Sequence, residues 1–173
     1  MSESDTVWQV ANSNVRHNAL HLLLDLFPLE DPDAIKDVND PLLEKQFFLL
    51  DKLLMDDCPG IWTIAVEGIC RILNQYWEVV PTSTISKFLS KIVDDMSKDS
   101  CNEVRLSTLN GFIYLLENPQ SHEIQKVLIP RLSNMISDTA LSLRAAAVDL
   151  LLAIRDLRSF QYNKVQCLLQ TMQ

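Results

Sequence analysis

The stretch Ile85-Ser86-Lys87-Phe88-Leu89-Ser90-Lys91-Ile92-Val93-Asp94-Asp95-Met96 decides the fold class. Its apolar residues are separated by three, one, three, one and three positions, which lays Ile85, Phe88, Leu89, Ile92, Val93 and Met96 in one stripe along an α-helix. Lys87, Lys91 and Lys98 fall opposite that stripe, on a solvated outer side. No comparable stretch alternates with period two. Breakers at Pro28 and Pro32, Asp40-Pro41, Pro59-Gly60, Pro81, Asn118-Pro119 and Pro130 cut the rest of the chain into pieces of ordinary helix length. Helices are expected over 13–27, 41–56, 60–77, 83–97, 102–117, 122–137, 141–157 and 161–172, with Pro130 inside or kinking the sixth. The expected class is all-α.

Four of these helices open alike: a β-branched residue or leucine, usually followed by Arg, then small residues and a leucine-rich run. The openings are Asn14-Val15-Arg16 with Ala19, Gly60-Ile61-Trp62 with Ala65, Glu103-Val104-Arg105 with Thr108, and Ser142-Leu143-Arg144 with Ala147. Their lead residues Val15, Ile61, Val104 and Leu143 are 46, 43 and 39 positions apart. A period of that length built from two helices fits HEAT or armadillo hairpins better than the shorter tetratricopeptide or ankyrin units, so the architecture expected is an α-solenoid. Residues 1–12 read as an irregular segment and 13–173 as about four units, incomplete at both ends and prone to self-association there. The second helix of each hairpin must touch its partner and the neighbouring units. Leu141, Leu143, Ala145, Ala146, Ala147, Val148, Leu150, Leu151, Leu152, Ala153 and Ile154 wrap nearly the whole circumference of one of them, which is expected to be covered all round. An acid in the preceding turn, Asp57, Asp99 or Asp138, is placed to cap the helix or to pair with Arg of a neighbour.

Composition narrows the function. The chain has 173 residues, 47% apolar and 22% charged, with 3 Gly, 7 Pro and 4 Cys, enough to bury a core and unlike a disordered tail or a disulfide-framed module. No apolar run approaches the roughly 20 residues of a membrane-spanning helix, and Met1 to Asn12 lacks the basic and apolar regions of a leader, so a cytosolic or nuclear protein is expected. The formal net charge is −8, all of it carried by residues 1–57, where 12 acids face 4 bases. Such a surface repels phosphate backbones. No residue before any of the seven prolines is Ser or Thr, so proline-directed phosphorylation is not expected.

Candidate chemistry is sparse. Cys58, Cys70, Cys101 and Cys167 form no pair at metal or redox spacing. His17, His21 and Asp25 share a helix face at metal-ligand spacing, but Asn18 stands where a zinc protease needs Glu, and a polar solvent face is the preferred reading. His122 has no nucleophile beside it, and Gly60, Gly68 and Gly111 are scattered singly rather than gathered in a phosphate loop. Gly68 and Gly111 each stand seven residues after a lead residue, which points to close helix packing. No catalytic residue, cofactor, metal or small-molecule substrate is expected. Lys87, Lys91 and Lys98 are the candidate DNA-contacting residues, with Asp94, Asp95 and Asp99 positioned to neutralise them. Arg105 and Arg144 read as structural members of the repeat ladder. The acidic stretch Pro28 to Asp40 reads as a long solvated loop.

The runs Val15-Arg16-His17-Asn18-Ala19-Leu20, Leu29-Glu30-Asp31-Pro32-Asp33, Lys45-Gln46-Phe47-Phe48-Leu49-Leu50 and Cys101-Asn102-Glu103-Val104-Arg105-Leu106-Ser107-Thr108-Leu109-Asn110-Gly111 resemble the G-type HEAT subunits of condensin II, as does Asn118-Pro119-Gln120-Ser121-His122-Glu123. The likeness covers about residues 13–165 and reads as a short form or fragment of such a subunit. Trp62 departs from the pattern by removing a ladder Arg. The resemblance implies a non-catalytic scaffold in the nucleus, associated with chromosomes. Its implied partners are a kleisin and other condensin II subunits, with DNA or chromatin met through the whole complex and ATP chemistry left to the SMC subunits. The implied role is mitotic chromosome condensation and segregation. The alternative is a nucleic-acid-binding helical module using the Lys/Arg stripe of residues 87–105.

Overall fold

The computed structural model describes residues 12–30, 32–33 and 36–157, and among these every regular element is helical. The irregular segment expected at the N-terminus, the helix expected over 161–172 and Cys167 lie outside the described residues. Seven α-helices follow one another: α1 (Ser13–Asp25), α2 (Lys36–Leu53), α3 (Pro59–Gln75), α4 (Thr82–Asp94), α5 (Asn102–Leu115), α6 (His122–Leu128) and α7 (Leu141–Arg155). No helix of the described residues is long and apolar enough to cross a membrane.

The helices form two layers. α1, α3, α5 and α7 lie in a row, each packed on the next, with the α3–α5 contact the most extensive; α2 packs on α3 and α4 on α6. The chain therefore alternates between layers, and helices two apart in sequence are neighbours in space, as helical hairpins stacked in register require. Helix α4 buries Ile85, Phe88, Leu89, Ile92 and Val93, the stripe read from the sequence. Phe88 and Phe112 are among the largest fully buried side chains, and each contributes about 1.5–3 kcal/mol by leaving water.

Three differences from the expected elements have local causes. Helix α2 begins at Lys36, with Pro41 inside it rather than at its start. A missing N–H removes one ladder bond near a helix N-terminus, where several N–H groups lack helical partners anyway. The segment expected as one helix over 122–137 is α6 followed by a 3₁₀ helix, Ile129–Ser137. Pro130 cannot donate to the α ladder, and tightening to three residues per turn brings Ile129, Leu132 and Met135 onto one buried line. Finally, α7 is not covered all round. Leu143, Ala146, Ala147, Leu150 and Ile154 are buried, whereas Leu141, Val148 and Leu152 are exposed, because no described helix lies beyond α7 in the row.

Gly68 and Gly111 have the packing role their positions suggested. A Cβ on Gly68 would stand 2.8 Å from Cγ of Leu24 and closer still to its methyls, and one on Gly111 would stand 2.6 Å from Sγ of Cys70. Leu24 and Cys70 each lie nine residues after their lead residue. The α1–α3 and α3–α5 junctions therefore repeat the same register.

Candidate functional site

The repeat row is tied along one edge by arginines and aspartates. Asp56, Asp99 and Asp138 each stand five residues before a lead residue. Their carboxylates accept the N–H groups of Cys58, Cys101 and Ala140 at 2.9, 2.7 and 2.9 Å, closing the turn that opens α3, α5 and α7. The arginine that follows the lead residue then reaches two ways. Arg105 donates to the carbonyls of Asp99 and Ser100 in its own turn, and its Nε and Nη2 grip both oxygens of Asp138 in the next. Arg144 donates to the carbonyls of Asp138 and Thr139 at 2.9 and 3.0 Å in the same register. Arg16 grips both oxygens of Asp56 at 2.8 and 3.0 Å and also reaches Asp57 at 2.8 Å.

Burial pushes the Asp56 carboxyl upward, but hydrogen bonds from Arg16 and the Cys58 N–H outweigh it and hold the group below the usual carboxylate range. Asp138 is likewise held low, first by the Ala140 N–H and then by Arg105. The sequence named Asp57 as the ladder acid; the residue in register with Asp99 and Asp138 is Asp56, and Asp57 adds only its exposed carboxylate to Arg16. Trp62 stands where the α3 rung should carry Arg. It is half-buried, its Nε1 is buried without a partner, and Asp99 faces no guanidinium.

The lysines sit elsewhere, and their partner was not anticipated. Lys87 pairs with Asp51 Oδ2 at 2.9 Å, and Lys91 lies 3.5 Å from Asp51 Oδ1 and 3.4 Å from its carbonyl. Asp94, expected to neutralise the stripe, pairs with Arg131 instead. Asp51 is 36 and 40 positions from the two lysines, and nothing in local spacing announces such a contact. Lys98 is exposed.

The remaining candidates are held in structural bonds. His17 and His21 meet edge to face at 4.7 Å, but Asp25 pairs with Arg71 of α3. Among the described residues no three His, Cys, Asp or Glu converge on a common point. His122 is buried, its Nε2 2.9 Å from the Leu116 carbonyl. Asn118 donates to the last carbonyls of α3, Leu73 and Asn74, while its Oδ1 accepts from the Gln120 N–H. A shallow groove of about 450 Å³ beside it is lined by Tyr76, Trp77, Glu78, Glu117 and Pro119. Cys70 is wholly buried, and burial pushes its thiol up to about 12.

The geometry is that of an all-α helical-repeat protein with structural rather than catalytic polar groups. Over 155 residues, 89% of its length, the chain is 35% identical to condensin-2 complex subunit G2 of Xenopus laevis. It is 34% identical to the mouse subunit and 32% to the human one over the same share of the chain. The matched stretch covers 13% of the frog protein and 14% of the mouse and human proteins, so the chain spans about one-seventh of the length of the curated relatives it matches. The resemblance read from the sequence thus runs through nearly all of the chain. No protein-family model and no solved structure matches it.

Proposed function

We propose that the chain is a non-catalytic HEAT-type scaffold of the nuclear, chromosome-associated condensin II complex, contributing to mitotic chromosome condensation and segregation through protein contacts. The similarity to subunit G2 along 89% of the chain carries the reading. The repeat row supports it: the buried polar groups hold turns and junctions together, and protein contact along the row is what such a surface offers. The partners proposed are a kleisin and further condensin II subunits, with DNA met through the assembled complex. Because Lys87 and Lys91 are engaged by Asp51, protein contact is favoured over direct DNA binding by the Lys87, Lys91 and Lys98 stripe.

The test is capture of the complex's kleisin from mitotic nuclear extract by the tagged chain. Recovery at a level comparable with full-length subunit G2 supports the reading; recovery by the full-length subunit and not by this chain overturns it. Titration with duplex DNA addresses the alternative. A flat response at low salt is expected, and strong binding that falls steeply with salt and is lost in a Lys87→Ala/Lys91→Ala/Lys98→Ala variant would replace the scaffold reading.

A further inference from the structure

The repeat register shows which side of each row helix receives the next helix. The residues five and nine positions after the lead residue form that side: Val66 and Cys70 lie against Gly111 of the following helix, and Leu24 lies against Gly68. Wherever a following helix is present, the side is covered. At the fifth position Leu20, Val66 and Leu109 are each 0% exposed, and at the ninth Leu24 and Cys70 are 5% and 1% exposed. On α7 the same positions hold Val148 and Leu152, which are 42% and 45% exposed. Leu141, 71% exposed, extends the patch along one helix face at spacings of seven and four.

The polar rung agrees. Arg16 and Arg105 each bind the aspartate that opens the next row helix, and Arg144 holds the equivalent place on α7. Its Nη1 is anchored on its own turn as Arg105 Nη1 is, yet among the described residues no carboxylate meets its remaining donors. Residues 158–173 contain no Asp or Glu side chain. The row therefore presents, on one face of α7, an apolar strip beside an arginine oriented like those that already hold an aspartate.

We propose that this face of α7 docks one further helix, supplied by a partner hairpin whose leading turn carries an aspartate. The face continues the α1–α3–α5–α7 row and the open guanidinium selects the charge of the turn, so the occupant is another helix of the kind already packed three times in this molecule. The inference extends the scaffold reading by naming a contact surface, and its test contains no condensin subunit, so failure here is distinct from failure of kleisin capture.

The probe is a synthetic, helix-constrained peptide of residues 136–157 of this chain. Its Asp138, Ala147 and Leu150 form the side that packs on α5, where Leu109 meets Ala147 and Leu150. In the intact chain α5 is occupied by its own α7, leaving the α7 face as the vacant equivalent. Fluorescence anisotropy should show saturable binding to the full chain, weakened at least tenfold by Val148→Asp, which alters an exposed position and spares the core. Arg144→Asp should weaken it likewise, and a peptide carrying Asp138→Arg should bind the Arg144→Asp chain better than the native one. Binding unchanged by Val148→Asp, or no binding up to the solubility limit, overturns the proposal. So does a chain that dimerises in sedimentation with Val148→Asp abolishing the dimer, because the occupant would then be a second copy.

Discussion

Arg105 and Asp138, 33 residues apart, are joined by two hydrogen bonds of 3.1 Å, while the backbone carbonyl of Asp138 accepts Arg144 at 2.9 Å. One aspartate thus closes its own turn, receives the arginine of the unit before it and seats the arginine of its own unit. The arrangement couples neighbouring repeats through partly buried charge-assisted bonds in addition to their apolar contact, which by itself has no fixed register.

The first prediction concerns acid. Asp56 and Asp138 titrate below their ordinary value when folded, so each contributes stability that is complete above the unfolded carboxylate value of 3.8 and is lost as the pH falls through the lower folded value. Urea midpoints measured from about pH 6 down to about pH 3 should fall, with the steepest loss below the ordinary carboxylate range. Arg16→Ala should lower the midpoint at neutral pH and flatten this acid limb. Arg155→Ala, whose pair with Asp156 is solvent-exposed, should do neither to a comparable extent.

Glycine spacing makes the second prediction. Ala at 68 or 111 gains about 1 kcal/mol of helix propensity but forces a methyl into Leu24 or Cys70, a clash that typically costs about 1–3 kcal/mol. Gly68→Ala and Gly111→Ala should therefore be net destabilising in urea unfolding, and Cys70→Ala should reduce the cost of Gly111→Ala by removing Sγ. Gly60→Ala meets only Cys58 Sγ at 3.9 Å and should be neutral or slightly stabilising.

The helical row was legible because Val15, Ile61, Val104 and Leu143 repeat a short opening, and because apolar spacing near 3.6 survives at single-residue resolution in Ile85–Met96. Gly68 and Gly111 were legible for the same reason: equal offset from a repeated residue is a register statement. Asp51 was not, since a contact between α2 and α4 depends on how layers stack, which periodicity within each helix does not encode. The choice of Asp56 over Asp57 turns on counting back five from the lead residue, a signal present in Asp99 and Asp138 but hidden by two adjacent acids. The exposed strip on α7 was missed because composition reports how apolar a helix is, not which neighbours are present to cover it.

Gln46 supplies the third prediction. It is 3% exposed, its Oε1 accepts the Leu29 N–H at 2.8 Å, and its Nε2 donates to the Leu29 carbonyl at 2.9 Å. This clasp holds the start of the acidic loop against α2. Gln46→Leu keeps the volume but strands two backbone groups, and should cost about 1–3 kcal/mol. Limited proteolysis should cut the variant between Leu29 and Asp40 faster than the native chain, and an unchanged cleavage rate would mean the clasp does not hold the loop.

Thiol reactivity follows from burial. Cys70 is buried and its thiol is pushed up to about 12, so almost no thiolate exists near pH 8. Iodoacetamide labelling of the native protein, read by mass spectrometry, should modify the half-buried Cys58 and Cys101 well before Cys70, with the difference vanishing in denaturant.

The interrupted rung allows a test of the ladder that does not depend on destroying it. Trp62 occupies the arginine place between Arg16 and Arg105, and Asp99 on the facing turn bonds Cys101 without an arginine opposite. Trp62→Arg removes an apolar surface and an unpartnered indole N–H together, so its own effect on stability is a difference of opposing contributions. The coupling is the cleaner quantity. Asp99→Ala breaks its turn bond in either background, but only with Trp62→Arg does it also remove an ion pair, so the double-mutant cycle should show a favourable interaction of about 1 kcal/mol. That interaction should shrink as salt is raised and disappear when Asp99 is protonated. A cycle that closes with no coupling would mean that position 62 does not reach the facing turn, and that the ladder register fails at the α3–α5 junction.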